Sequence, residues 1–281
     1  MLYKIKGKCI IFAKVGIQVQ NELENEVNYM FTDTYVLNEE RNVTLTAYIQ
    51  AVGGEYEPVM ARPAVMVIPG GGYHICSDRE AEPVALAFLK AGYDAFVLRY
   101  SVTGENNERP GNADWPNPLS DFEQAMGFIR EHKDEWNIIP DKICVIGFSA
   151  GGHLAGAGMT MAGEDARPNA AILGYPVDQW PEGNKYGVKA PAIHPMITGD
   201  NCPCFIFAAR DDDTVPVANS IDLMKAMYDN GVPFESHIYR HGPHGFGTCD
   251  KWLEQREFCP RVPTWVEDSI AWLNETFEMF L

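Results

Sequence analysis

The sequence predicts an α/β fold: a mostly parallel, twisted sheet with helices on both faces and an antiparallel hairpin near the N-terminus. Two observations carry this expectation. Short, nearly continuous apolar runs alternate with segments of helical spacing, as parallel strands buried on both faces require. A pair of β-rich segments precedes that alternation, separated by five polar residues. A third observation concerns function. Ligands of such sheets sit beyond the carboxyl ends of the strands, and this chain places unusual polar residues at several of those ends.

The hairpin is formed by 28–37 (NYMFTDTYVL) and 43–50 (VTLTAYIQ), around Asn38-Glu39-Glu40-Arg41-Asn42. AVMVIP (64–69) is a buried strand. Residues 78–91 read as a helix with Asp78 as N-cap and Gly92 as its stop. YDAFVLRYS (93–101) is a strand, and a Pro-, Asn- and Gly-rich loop covers 102–118. Phe122, Ala125, Met126, Ile129 and Trp136 give 119–136 helical spacing. KICVIGF (142–148) is a strand, 150–162 a helix and AAILGYP (170–176) a strand, followed by an irregular stretch, 177–201. CFIFAAR (204–210) is a strand, 217–231 a helix ended by Gly231, FESHIYR (234–240) a strand and 263–280 the last helix. No internal repeat or low-complexity linker occurs, so 281 residues are expected to form one domain, with 1–27 unplaced.

Composition excludes several classes. The net charge of −17 leaves no basic patch for nucleic acid and disfavours anionic membranes and polyanions. No apolar run reaches the roughly 18 residues that span a bilayer. The early stretch CIIFAKVGI is short, is broken by Lys14 and lacks a small-residue cleavage site, so it reads as a strand rather than a signal peptide. Seven scattered cysteines suit reduced thiols in a cytoplasm-like compartment. Cys202-Pro203-Cys204 has no matching second pair, so no zinc site is expected.

Four strand ends carry the candidate chemistry. Gly147-Phe148-Ser149-Ala150-Gly151 lies between a strand and a helix. In that context G-x-S-x-G holds a nucleophilic serine on a sharp turn, and the N–H of Ala150 can face a developing oxyanion. Pro69-Gly70-Gly71-Gly72-Tyr73 exposes backbone amides, so Gly71 and Gly72 are candidates for the other half of the oxyanion hole. It matches neither a phosphate-binding Walker loop nor a dinucleotide turn. Asp211-Asp212-Asp213 supplies a carboxylate to orient a histidine, and the residues alone do not choose among the three. His241-Gly242-Pro243-His244-Gly245 supplies the base, with His244 favoured because it sits farther into the loop. The remaining histidines (His74, His132, His153, His194 and His237) are expected to be structural or on the surface.

Serine, acid and histidine in this order, with the glycine loop upstream, match the α/β-hydrolase fold. From about residue 60 onward the chain resembles the acetyl-xylan-esterase-like, lipase/esterase branch of that superfamily. The resemblance rests on VIPGGGYHICSDREAEPVALAF, GYDAFVLRYSV, ICVIGFSAGGHLA, ARDDDTVPVANS and HGPHGFG. It implies that the acid is Asp212, three residues before Val215-Pro216, and that the base is His244, which opens a His-Gly-Phe segment. One departure is Pro69, where related lipases often carry histidine. The departure bears on how the glycine loop is braced.

The resemblance implies hydrolysis of short acyl esters, acetyl above all, on a carbohydrate or other polar alcohol such as an acetylated xylo-oligosaccharide. No metal or cofactor is expected. Tyr73, Trp115, Phe148, Trp180 and Phe246 are the aromatic candidates for the substrate mouth. The segment 177–201 is too short for a large lid and could wall off a small site. Other readings use the same triad. A thioesterase or lactone hydrolase is compatible with it. A peptidase of the prolyl-oligopeptidase kind normally adds a propeller for which this length leaves no room. A catalytically dead binding protein conflicts with the filled triad positions. A homodimer is compatible with the sequence, with the N-terminal segment as one support for it.

Overall fold

The computed structural model describes residues 4–5, 8–9, 29–104, 113–185, 187–252 and 254–279. Two short strands, β1 (Lys4–Ile5) and β2 (Lys8–Cys9), form an antiparallel ribbon of their own. The rest of the expected CIIFAKVGI strand, and residues 105–112 of the Pro/Asn/Gly-rich loop, lie outside the described residues.

The main sheet has eight strands: β3 (Phe31–Asn38), β4 (Val43–Ile49), β5 (Arg62–Ile68), β6 (Asp94–Arg99), β7 (Ile138–Phe148), β8 (Ala170–Gly174), β9 (Cys204–Ala209) and β10 (Phe234–Tyr239). Their order is β10-β9-β8-β7-β5-β6-β4-β3. The hairpin β3–β4 is antiparallel and joins β6 antiparallel, while β6 to β10 run parallel. Central strands β5, β8 and β9 are buried along their whole length, which is why their sequences are apolar without alternation.

Helices cover both faces. On one lie α2 (Asn117–Glu131), α3 (Lys133–Trp136), α4 (Ala150–Met161) and α5 (Ala218–Asn230). They bury Phe122, Met126, Leu154 and Leu223 with Met66 and Leu98 of the sheet. On the other lie α1 (Glu82–Lys90) and α6 (Trp265–Thr276), which bury Phe88, Trp265 and Leu273 with Val65, Val67 and Phe207. Met66 faces one core and its neighbours Val65 and Val67 the other, as the period of two demands.

Two helix expectations are corrected. Asp78 is not an N-cap. It opens a short 3₁₀ turn (Asp78–Glu80), and α1 begins after Ala81 with Pro83 in its first turn, where a missing N–H costs nothing. The Asp78 carboxylate instead accepts from Arg99 Nη1 at 2.9 Å. The expected helix 119–136 is divided at His132. Its Nδ1–H donates to the Phe128 carbonyl at 2.9 Å and its ring stacks on Trp136, with centroids 4.7 Å apart.

Candidate active site

Ser149 stands where β7, near the middle of the sheet, hands over to α4. Its φ of +52° is unusual for a residue with a side chain, and the surroundings enforce it. The Ser149 N–H donates to the Gly174 carbonyl at 3.0 Å. Helix α4 packs so closely that a Cβ on Gly147 would lie 2.2 Å from the Gly151 oxygen, and one on Gly151 would lie 2.1 Å from the Ile68 oxygen. Only glycines allow this turn.

Ser149 Oγ lies 2.9 Å from His244 Nε2, and His244 Nδ1 lies 2.7 Å from Asp212 Oδ2. A carboxylate oxygen accepts, so Nδ1 carries the proton and Nε2 is left to accept the Ser149 hydroxyl. The Asp212 side chain is fully buried. Its Oδ1 accepts the N–H groups of Thr214 and Val215, each at 2.9 Å. The His244 carbonyl accepts from Arg256 Nη2 at 2.9 Å, and Tyr175 meets the imidazole edge-on at 5.1 Å.

The neighbouring aspartates are placed otherwise. Asp211 binds His241 Nδ1 at 2.6 Å, a second Asp–His pair that is partly exposed. The hydrogen bond from His241 holds its carboxyl below the usual range. Asp213 lines the cleft and accepts from its neighbour Thr214 Oγ1 at 3.2 Å.

Ser149 and His244 open into a cleft of about 780 Å³. Gly71 and Gly72 line it too, and among the described residues neither N–H has an acceptor. Ala150 is the first residue of α4, so its N–H has no partner one turn back. The third amide of the glycine loop, Gly70 N–H, is already taken by Glu80 Oε2 at 2.9 Å. The Pro69 carbonyl accepts from Tyr100 Oη at 2.8 Å. The loop that begins with proline is therefore braced by a buried carboxylate and a buried tyrosine.

Of the five aromatic candidates for the mouth, Trp180 alone lines the cleft. Phe148 faces the core on the far side of the sheet, against Phe207 and Trp265. Phe246 is buried in the same core beside Tyr175. Tyr73 is buried behind the glycine loop, with its hydroxyl 2.9 Å from His153 Nδ1. Trp115 packs on the helical core and meets His153 edge-on. Strand and loop ends look alike in sequence, but alternation around each end sends half the side chains inward.

The stretch 177–201 forms one wall, through Val177, Gln179, Trp180, Pro181, Asn184 and Lys185. It is tied down at Asp178, which accepts from the N–H of His194 at 2.7 Å and pairs with His194 Nδ1 at 2.6 Å. His74 also lines the cleft, and His153 is fully buried. Sequence reasoning missed Glu80, Tyr175 and Arg256. Tyr175 directly follows a strand, so the strand-end rule reaches it; no spacing pattern marks the other two.

Among the described residues there is no cluster of three metal-ligating side chains and no helix long and apolar enough to cross a membrane. Cys76, Cys144, Cys202, Cys204, Cys249 and Cys259 are free thiols.

An eight-stranded, mostly parallel sheet with a serine on a glycine-boxed strand-to-helix turn defines an α/β-hydrolase architecture. The comparisons agree. The BD-FAE family model matches residues 56–171. The chain is 37% identical to the crystal structure of MGS-M1, an α/β-hydrolase enzyme from a Medee basin deep-sea metagenome library. That match has a TM-score of 0.80 and covers 89% of this chain and 99% of the other. An acetyl ester-xyloside bifunctional hydrolase from Caldicellulosiruptor lactoaceticus is 29% identical, with a TM-score of 0.72, over 91% of this chain and 99% of its own. An acetylxylan esterase of Xylanibacter ruminicola is 34% identical over 204 residues, 66% of this chain and 41% of that protein. This chain belongs to the α/β-hydrolase superfamily. It spans well under half the length of the curated relatives it matches first, 36% and 41%.

Proposed function

We propose that the protein is a serine carboxylic ester hydrolase that removes short acyl groups, chiefly acetyl, from a carbohydrate alcohol. The observation that carries this reading is the hydrogen-bonded line Ser149–His244–Asp212 at the floor of an open cleft. His244 Nε2 takes the hydroxyl proton as Ser149 Oγ attacks the ester carbonyl. Asp212 stabilises the imidazolium and fixes its tautomer. The N–H groups of Gly71, Gly72 and Ala150 receive the oxyanion. Collapse breaks the C–O bond to the alcohol, which leaves with the proton from Nε2. Water then gives a proton to Nε2 and attacks the acyl-serine, releasing the acid and restoring Ser149.

The substrate class is supported by the named activities of the relatives and by the cleft. About 780 Å³ far exceeds an acetyl group and leaves room for the alcohol. Trp180 offers an aromatic face and Gln179 an amide suited to hydroxyl groups. Free thiols favour a reducing, cytoplasm-like compartment, in which the substrate is an imported oligosaccharide rather than intact polymer.

The test is hydrolysis of p-nitrophenyl esters from two to twelve carbons, then of acetylated xylo-oligosaccharides, by wild type and Ser149→Ala. The expected result is a preference for acetyl and no turnover by the variant, which keeps its unfolding temperature. Full activity in Ser149→Ala, or a peak at eight carbons or more, overturns the proposal.

A further inference from the structure

We propose that Glu80 is a positioning residue of the hydrolytic centre, whose buried carboxylate clamps the glycine loop to the loop carrying His244. The proposal rests on the serine-hydrolase reading above and names a residue outside its triad and oxyanion donors.

Glu80 lies in the short turn before α1 and is only 3% exposed, yet it borders the cleft. Its two oxygens reach two different loops. Oε2 accepts the Gly70 N–H at 2.9 Å, one residue before the proposed oxyanion donor Gly71. Oε1 accepts the Tyr175 hydroxyl at 2.7 Å. The Tyr175 oxygen in turn accepts the Gly247 N–H at 3.1 Å, three residues after His244. The Tyr175 ring also packs against the imidazole.

The proton directions in this chain are fixed. Gly247 N–H and Gly70 N–H can only donate, so the tyrosine hydroxyl must turn to Oε1, and both carboxylate oxygens accept. A glutamine in the same place cannot repeat the pattern. If its oxygen meets Tyr175, its NH₂ meets Gly70 N–H; if its oxygen meets Gly70, its NH₂ meets a hydroxyl oxygen already holding Gly247. One donor is left facing another donor, or one hydroxyl without an acceptor. Burial raises the Glu80 pKa, while the bonds from Tyr175 and Gly70 and the nearby His244 favour its charged form. Tyr175 itself has a φ of +35°, a conformation that only enforced packing maintains.

A clamp of this kind sets the distance between two parts of the reaction: the amides that receive the oxyanion and the imidazole that carries the proton. Its loss is expected to weaken transition-state stabilisation more than ground-state binding.

Glu80→Gln and Tyr175→Phe are each assayed with p-nitrophenyl acetate beside wild type. The affinity of methylboronic acid, which forms a tetrahedral adduct on the serine, is measured in the same samples. The expected result is a fall in kcat of about tenfold to a hundredfold, with KM within about twofold, and a parallel loss of boronate affinity. The double variant should lose little more than the worse single variant, since the two act as one link. Wild-type kcat in both folded variants, or strictly additive losses, overturns the proposal. If Glu80→Gln does not fold, Tyr175→Phe carries the decision alone, because it removes only the hydroxyl joining the two loops. A wild type inactive on all esters is a different outcome and rejects the esterase reading.

Discussion

Asp212 meets His244 with Oδ2 2.7 Å from Nδ1, while its other oxygen is already filled by two backbone N–H groups. Those bonds fix the carboxylate against the imidazole. Asp211 and Asp213 lie one peptide away and reach other partners. Asp212→Asn is therefore expected to lower kcat by about 10³–10⁴, by stabilising the wrong tautomer. Asp211→Asn and Asp213→Asn should stay within a few-fold of wild type. Steady-state assays of the three variants with p-nitrophenyl acetate check this ranking, and a crippled Asp213→Asn would reassign the acid.

Gly71 has a φ of +127°, and a Cβ there would lie 2.2 Å from the Ile75 carbonyl oxygen. Gly71→Ala must displace the loop that presents the proposed oxyanion amides. A loss of about 10² or more in kcat is expected, with a stability cost of about 1–3 kcal/mol. Kinetics and thermal unfolding of this one variant measure both.

Trp180 lines the cleft from a wall that is not part of the proton relay. Trp180→Ala is expected to raise KM for acetylated xylo-oligosaccharides about fivefold, the worth of about 1 kcal/mol of ring contact. Turnover of p-nitrophenyl acetate should change less than twofold. Equal effects on both substrates would remove Trp180 from the alcohol subsite.

His153 donates Nε2–H to the Pro191 carbonyl at 2.9 Å and accepts the Tyr73 hydroxyl at Nδ1. Burial lowers its pKa to about 4, with the Pro191 bond opposing the shift. The folded pKa lies below the unfolded value near 6.5, so the unfolded chain takes up the proton first. Stability is fully present above about pH 6.5 and falls as pH drops towards 4, by up to about 3 kcal/mol. His153→Gln, which can keep both bonds, should flatten that part of the slope. Denaturant unfolding from pH 4 to 8 provides the comparison.

The strands and most helices were legible because buried parallel strands need unbroken apolar runs, and glycine stops such as Gly231 mark helix ends. Ser149, the aspartates 211–213 and the loop of His244 were legible because each follows a strand end, whereas the choice of Asp212 among the three came from the family resemblance and not from position. The aromatic mouth was not. Phe148 and Trp180 are both aromatic residues beside strands or loops, but only the three-dimensional turn decides which faces water. Glu80 was hidden for a related reason. Its partners are a backbone N–H ten residues earlier and a tyrosine 95 residues later, and neither leaves a periodic trace.

The glycine-boxed elbow has a consequence for how this protein can change. The contacts that hold Ser149 are made by backbone atoms of β5, β7 and α4, where almost any added carbon collides. The wall that begins at Val177 is freer at exposed positions such as Gln179, Pro181 and Glu182, whereas Gly183 and Gly187, with φ of +70° and +67°, disfavour a side chain. A random library should show near-total loss at Gly147 and Gly151 and broad tolerance at those exposed wall positions. New ester preferences can then be selected without disturbing the proposed nucleophile, so the molecule is divided into a part that resists variation and a part that invites it.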